Sequence, residues 1–246
     1  MFSFFTRRKE RFTHSDYGFL GIDIHSHLIP GIDDGVPDVE TALACLRKLK
    51  EIGYRKVVTT PHIIQDLHPN TSEGIRRGLD KLRQAVREEN LGMEVDAAAE
   101  YLLDDHFINL LQKDDVLTFG PRYLLFELPF AIPPLNLESL VFQMMTRGYQ
   151  PILAHPERYT YLHSHPERLN ALKEQGCLFQ LNILSLAGQY GSRIQQQARK
   201  LVEHGMIDLL GSDMHRLRDA EKMEQLLKSK ELAVLGGREF LNATLL

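Results

Sequence analysis

The stretch DIHSHLIPGIDDG, Asp23 to Gly35, sets His25 and His27 two residues apart and follows them with Asp33 and Asp34. Residues of the same two kinds recur along the chain. His62 closes TTPH, Glu100 lies in AAAEYLL, Glu127 in LLFELP, His155 in LAHPERY, and Asp213 and His215 in GSDMH. Imidazole and carboxylate without thiolate suit borderline or hard divalent ions: manganese, iron, zinc or magnesium. On an extended segment an HxH pair turns both rings to one side, because side chains alternate with period two; Asp213 and His215 share that spacing.

Singly, each residue has an ordinary explanation. A histidine after a strand hydrogen-bonds to backbone, and a glutamate within one forms a buried ion pair. Together they do not. Charge buried at that density is costly unless a cation compensates it. So many donors exceed what one ion takes from protein, which implies two or three ions.

Such residues, spread from Asp23 to His215, need a scaffold to bring them together. Short β-rich runs alternate with amphipathic stretches. The predicted strands are FLGIDIH, KVVTTPH, MEVDAAAEYLL, YLLFELP, QPILAHPE, CLFQLNI and IDLLGSDMH. The predicted helices are DVETALACLRKLKEIG, NTSEGIRRGLDKLRQAVREEN, NLESLVFQMMTRG, HPERLNALKEQG, GSRIQQQARKLVEHG and RDAEKMEQLLKSKEL. Strands alternating with helices imply an α/β fold with a parallel sheet, since parallel neighbours need crossovers. Both a doubly wound sheet and a closed barrel fit. In either, ligands gather at the carboxyl ends of the strands, which is where these residues fall.

Composition narrows the function classes. The chain has 246 residues, 43% hydrophobic and 25% charged, with net charge -4. That is the profile of a globular protein with a substantial core and no general attraction for nucleic acid. Cys45 and Cys177 are isolated and read as core filler in a reducing, cytoplasmic setting. The N-terminal MFSFFTRRKERF has the wrong order and length for a secretory signal, and no later run is long enough to span a bilayer. Phe2, Phe4 and Phe5 beside Arg7, Arg8 and Lys9 are expected in a loose tail. Residues 1–20 are thus read as an extension and 21–246 as one domain. His14, His68, His106, His163, His165 and His204 are expected at the surface.

The order HxH, Asp, TPH, Glu, Glu, His, DMH resembles the polymerase-and-histidinol-phosphatase (PHP) superfamily. More narrowly it is similar to bacterial tyrosine-protein phosphatases of capsule and exopolysaccharide loci. DIHSH…DDG, HPERY and SDMH carry that likeness together. The resemblance implies a distorted (β/α)7 TIM-like barrel, with outer helices, around three divalent ions, manganese favoured. One ion would take His25, His27, Glu100 and Asp213. A second would share Glu100 with Glu127 and His155, and a third would take Asp34, His62 and His215. Asp34 matches the family's aspartate before glycine, which leaves Asp33 as a supporting carboxylate. Arg158 is the expected phosphate-binding arginine. Arg216 and Arg218 are candidates for a further one, although they lie closer to the DMH motif than the family's arginine does.

By the same resemblance the substrate is a phosphotyrosyl protein, the tail of a membrane-bound bacterial tyrosine kinase, attacked by hydroxide with no covalent phosphoenzyme. Neither ACLRK nor GCLFQ has the cysteine–arginine loop of cysteine phosphatases. Alternatives are histidinol phosphate or another small phosphomonoester on the same site, and a non-catalytic metal-bound regulatory domain. A flavodoxin-like binding domain would need a glycine-rich loop after the first strand, and there is none.

Overall fold

The structure, a computed structural model, describes residues 14–246. The phenylalanines and basic residues of the expected tail lie outside the described residues. In chain order the elements are β1 (Ile22–Asp23), α1 (Val39–Glu51), β2 (Lys56–Thr59), β3 (His62–Ile63), α2 (Ser72–Glu88), β4 (Glu94–Ala97) and β5 (Glu100–Leu102). There follow α3 (Asp105–Gln112), β6 (Tyr123–Glu127), α4 (Leu137–Thr146), β7 (Gln150–Ala154) and α5 (Pro166–Glu174). Next come β8 (Leu178–Asn182), α6 (Ile183–Leu186), α7 (Ser192–Glu203), β9 (Leu209–Gly211) and α8 (Leu217–Leu227), with 3-10 turns at Glu231–Leu235 and Leu241–Leu245 after them. Polar caps start several helices: the Asp38, Thr71 and Asp104 side chains accept from the backbone N–H of Thr41, Gly74 and Phe107.

All the strand pairs are parallel. They run in the order β1-β2-β4 in one sheet and β3-β5-β6-β7-β8-β9 in the other. The division comes from two interruptions. β2 and β3 continue one strand across Thr60–Pro61, and β4 and β5 continue another across Ala98–Ala99. Seven strand positions result, each coinciding with one predicted run. The first and last are joined by a parallel bridge between Ser26 and Met214 and by the Asp213 N–H donating to His25 O at 2.8 Å. This is a distorted barrel with helices outside it.

Alternation along the strands builds two apolar layers. Leu125, Ile152, Ala154, Leu209 and Val58 belong to an inner cluster with Ile22, Ile24 and Ala98, to which none of the α-helices contributes, though Leu241 and Leu245 of a C-terminal 3-10 turn pack against it. Their neighbours Leu124, Phe126, Leu153, Leu210 and Val57 belong to the outer cluster with the helix faces. Burial on both sides is why these strands read as continuous apolar runs rather than alternating ones. Tyr17 and Leu20, within the expected extension, are also buried, and the Tyr17 hydroxyl donates to Met223 O at 2.9 Å. Among the described residues no helix is long and apolar enough to cross a membrane.

Candidate metal centre

The inner apolar layer stops where the polar residues begin. Ile22 and Ile24 both belong to that layer, so strict alternation would turn His25 away from it. β1 ends at Asp23, and the segment after it is held by its neighbours instead. His27 N–H donates to Met214 O at 2.8 Å, Thr60 N–H to Ser26 O at 2.6 Å, and Leu28 N–H to Thr59 Oγ1 at 2.9 Å. Gly35 passes so close that an added Cβ would lie 2.2 Å from His27 O, which accounts for the glycine of DDG. At the ends of β7 and β9 the chain turns through left-handed backbone at His155 (φ 33°) and Asp213 (φ 50°). Each such turn costs on the order of 1 kcal/mol and is held by its surroundings.

The nine residues that the resemblance assigns as metal ligands come together in four overlapping groups. They are His27, Asp34, His62 and His215; His25, Glu100 and His155; His25, His27 and Asp213; and His62, Glu100 and Glu127. Within each, one donor atom per residue lies within 4.8 Å of the others. Glu100 is at the middle. Its Oε2 is 3.1 Å from His25 Nε2, 3.1 Å from His62 Nδ1 and 3.5 Å from His27 Nε2, and its Oε1 is 3.0 Å from His155 Nε2. His62 bridges two groups, with Nδ1 3.3 Å from Glu127 Oε1 and Nε2 3.7 Å from Asp34 Oδ1. His215 Nε2 is 3.3 Å from Asp34 Oδ1.

The rings are aimed from behind. His25 Nδ1 donates to Gln180 Oε1 at 2.7 Å, His27 Nδ1 to Asp33 Oδ2 at 2.8 Å and His215 Nδ1 to Asp213 O at 3.0 Å. In each case the proton on Nδ1 leaves an Nε2 lone pair facing the cluster, as an imidazole ligand requires. His25 Nε2, His27 Nε2, His62 Nδ1 and Glu100 Oε2 are buried, close to one another, and make no hydrogen bond. Unpaired buried polar atoms converging on one volume are costly as they stand, and a shared cation would satisfy them together. The residues present fit divalent ions.

Electrostatics agree. Burial opposes the charge on His25, His62 and His215, but the facing carboxylates outweigh it. Glu100 and Asp213 raise His25 to about 9. Glu100, Glu127 and Asp34 raise His62 to about 10, and Asp34 and Asp213 raise His215 to about 9. Burial likewise disfavours the Glu100 and Asp213 carboxylates, yet the histidines hold both well below the ordinary range. Without cations, protons on the imidazoles serve as the countercharge, so binding an ion there must release them.

Arg158 stands half over this cluster. Its Nη1 is 3.1 Å from Asp213 Oδ2, and its guanidinium lies between the Phe130 and Tyr190 rings, 4.7 and 4.5 Å from their centroids. Arg216 and Arg218 are exposed at the rim of the same cavity, which has a volume of about 720 Å³. Asp33 lies behind His27 and accepts also from the backbone N–H of Gly35 (3.0 Å) and His62 (3.1 Å).

One expectation is corrected. His68 is not a surface residue apart from the site: it lines the cavity and stacks on His62, with centroids 5.6 Å apart. The connection after β3 folds back through an antiparallel bridge between Ile64 and His68, which short-range sequence pattern does not announce. Gln180, Asn182, Tyr190 and Phe130 were also missed. Asn182 Nδ2 donates to Asp213 Oδ2 at 2.6 Å, and Gln180 Nε2 donates to Asn182 Oδ1 at 2.9 Å. In CLFQLNI, Gln180 and Asn182 share the two-residue spacing of His25 and His27, but that spacing in neutral amides does not by itself tell a site from ordinary polar alternation.

Fold and side chains define a barrel-derived α/β protein whose mouth carries a carboxylate–imidazole centre suited to divalent ions. The chain belongs to the family described as "Capsular polysaccharide synthesis, CpsB/CapC", which it matches over residues 21–232. It is 30% identical over 198 residues to the tyrosine-protein phosphatase YwqE of Bacillus subtilis (strain 168), covering 80% of this chain and 78% of that protein. It is 27% identical over 213 residues to the putative tyrosine-protein phosphatase CapC of Staphylococcus aureus, covering 86% and 84%. A crystal structure from work on YwqE of Bacillus subtilis and CpsB of Streptococcus pneumoniae, described as unique metal-dependent tyrosine phosphatases, superposes with a TM-score of 0.74 at 27% identity. It covers 89% of this chain and 96% of that one.

Proposed function

We propose that this chain is a metal-dependent phosphomonoesterase acting on phosphotyrosine in a protein, in the cytoplasm, with three divalent ions and manganese preferred. The observation that supports it best is the set of inward-facing, unpaired donor atoms around Glu100. His25, His27, Glu100 and Asp213 would hold one ion, Glu100, Glu127 and His155 a second, and Asp34, His62 and His215 a third. Family membership and the phosphatase names of the relatives support the substrate class. They also support a kinase of capsule or exopolysaccharide synthesis as the phosphoprotein.

Bound there, the cations would supply Lewis-acid charge for the phosphoryl oxygens and acidify a nucleophilic water. The chain's own groups do the rest. Arg158 presents a planar fork that matches two phosphoryl oxygens, and the Phe130 and Tyr190 rings keep that fork over the cavity. Gln180, Asp33 and the Asp213 carbonyl hold three histidines to one tautomer. Arg216 and Arg218 meet the substrate from the solvent side. A tyrosyl oxygen, with a pKa of about 10, leaves without a dedicated proton donor.

The test is hydrolysis of p-nitrophenyl phosphate and of a phosphotyrosyl peptide by the chelator-stripped chain with manganese returned. Activity that chelator abolishes and manganese restores is expected. Indifference to chelation would refute the reading, and a strong preference for histidinol phosphate would move it to a small-molecule phosphatase.

A further inference from the structure

The cavity over the cluster has a neighbour. A second hollow, of about 360 Å³, is bounded by Gln189, Lys222, Gln225, Ser229 and Glu231, and it shares Gln189 and Lys222 with the first. Along the boundary runs α8. Arg218, Lys222 and Gln225 follow one another at spacings of four and three, so they lie on one face of that helix. At about 1.5 Å of rise per residue the strip from Arg218 to Gln225 is roughly 10 Å long, the reach of about three residues of extended peptide.

The charge on that strip is unbalanced. Among the described residues Arg216 and Arg218 make no ion pair, and Lys222 Nζ donates only to Gln189 Oε1, at 2.7 Å. Of the nearby acids, the exposed Glu221 forms no ion pair with Arg218 or Lys222 among the described residues, and two others are engaged elsewhere. Asp219 Oδ2 accepts from the backbone N–H of His215 and Arg216, and Glu231 pairs with Arg199. Three cations without an ion pair thus line this cavity in a chain of net charge -4, and only Lys222 has a hydrogen-bond partner, the neutral Gln189. The same cavity also exposes two apolar side chains, Leu67 and Phe130, at 72% and 47%. A phosphate and its aromatic ring therefore account for the cluster, Arg158 and Phe130, and leave the α8 strip for something else that is anionic.

We propose that Lys222, with Arg218, forms a subsite for a carboxylate side chain of the substrate peptide, two to four residues from the phosphotyrosine, and that the second hollow receives the chain beyond it. This rests on the phosphotyrosine reading above. Neither residue touches the reacting atoms; they set which peptides bind.

Three peptides separate the possibilities: phosphotyrosine flanked at two to four positions by glutamate, by alanine or by lysine. They are assayed with manganese against the wild type and Lys222→Glu, with p-nitrophenyl phosphate as the substrate that has no flanks. The wild type should favour the glutamate peptide over the alanine peptide about fivefold in kcat/KM, the upper end for one partly exposed ion pair. The preference should shrink in high salt. Lys222→Glu should favour the lysine peptide, while its kcat/KM for p-nitrophenyl phosphate falls by a smaller factor than for the glutamate peptide. Equal use of the three peptides by the wild type, or the same order in Lys222→Glu, would overturn the subsite while manganese-dependent turnover upheld the phosphatase. Absence of manganese-dependent turnover of any phosphotyrosyl peptide or of p-nitrophenyl phosphate in the wild type would overturn both.

Discussion

Asp33 is the residue whose replacement most sharply separates aiming a ligand from being one. It sits behind His27, with Oδ2 receiving the Nδ1 proton at 2.8 Å and the His62 backbone N–H at 3.1 Å, while Oδ1 receives the Gly35 N–H at 3.0 Å. Burial resists its charge, yet the bond to His27 and the backbone donors keep its pKa below the ordinary value, so it is a carboxylate at neutral pH. Asp33→Asn keeps the volume but offers a single accepting oxygen to donors on both sides. Either Gly35 or the pair His27 and His62 then faces an amide N–H. Losing such a partner behind a metal-binding histidine typically weakens binding 10- to 100-fold, about 1.4 to 2.8 kcal/mol. Manganese titration of the chelator-stripped protein should show that shift. Because Asp33 is kept away from the reacting atoms by His27, kcat at saturating manganese should return to within about threefold of the wild type. Unchanged manganese affinity would refute the orienting role, and lost turnover that added metal does not restore would place Asp33 in the chemistry itself.

Three further outcomes follow from the same geometry. His155→Ala and Asp213→Ala should each abolish p-nitrophenyl phosphate hydrolysis, by at least about 1000-fold, while circular dichroism shows the fold retained; full activity in either removes the assigned site. Arg158→Lys gives up the planar fork and its stacking between Phe130 and Tyr190, and should lower kcat/KM about 10- to 100-fold, read in steady-state kinetics. In the metal-free protein the facing carboxylates, against the effect of burial, raise His25, His62 and His215 to about 9, 10 and 9, above the unfolded value of about 6.5. Their contribution to stability is therefore complete below about pH 6.5 and lost as pH climbs through 9 to 10. Tm should fall by on the order of 5 °C over that interval, and bound manganese, standing in for the protons, should flatten the slope.

The pattern of apolar runs was enough to place each of the seven strand positions; it is strongest at β6, β7 and β8, which are buried on both faces, and weakest at β4, where Glu94 is exposed. It did not reveal that two of them are broken, at Thr60–Pro61 and Ala98–Ala99, since a break in pairing changes hydrogen bonds and not hydrophobicity. Helix α3 was not among the predicted helices: it starts two residues after the predicted run MEVDAAAEYLL, with only the capping Asp104 between them, so no separate start signal stands out. The candidate donors were legible because histidine and glutamate are conspicuous at the ends of apolar strands. Gln180 and Asn182 were not, since neutral amides inside a strand look like ordinary polar alternation until His25 and Asp213 are seen against them. His68 depended on a short loop folding back through the Ile64–His68 bridge, a local turn that hydrophobic periodicity does not mark. Their partition also shows more overlap than the resemblance implied: His62 faces Glu100 and Glu127 as well as Asp34, and His27 joins the group of Asp34 and His215.

Anomalous diffraction at the manganese edge from crystals of the manganese-loaded protein bears most directly on the central claim. Three peaks are predicted inside the cavity, within bonding distance of His25, His27, Asp34, His62, Glu100, Glu127, His155, Asp213 and His215. An empty cavity at saturating manganese, or peaks bound by other side chains, would contradict it.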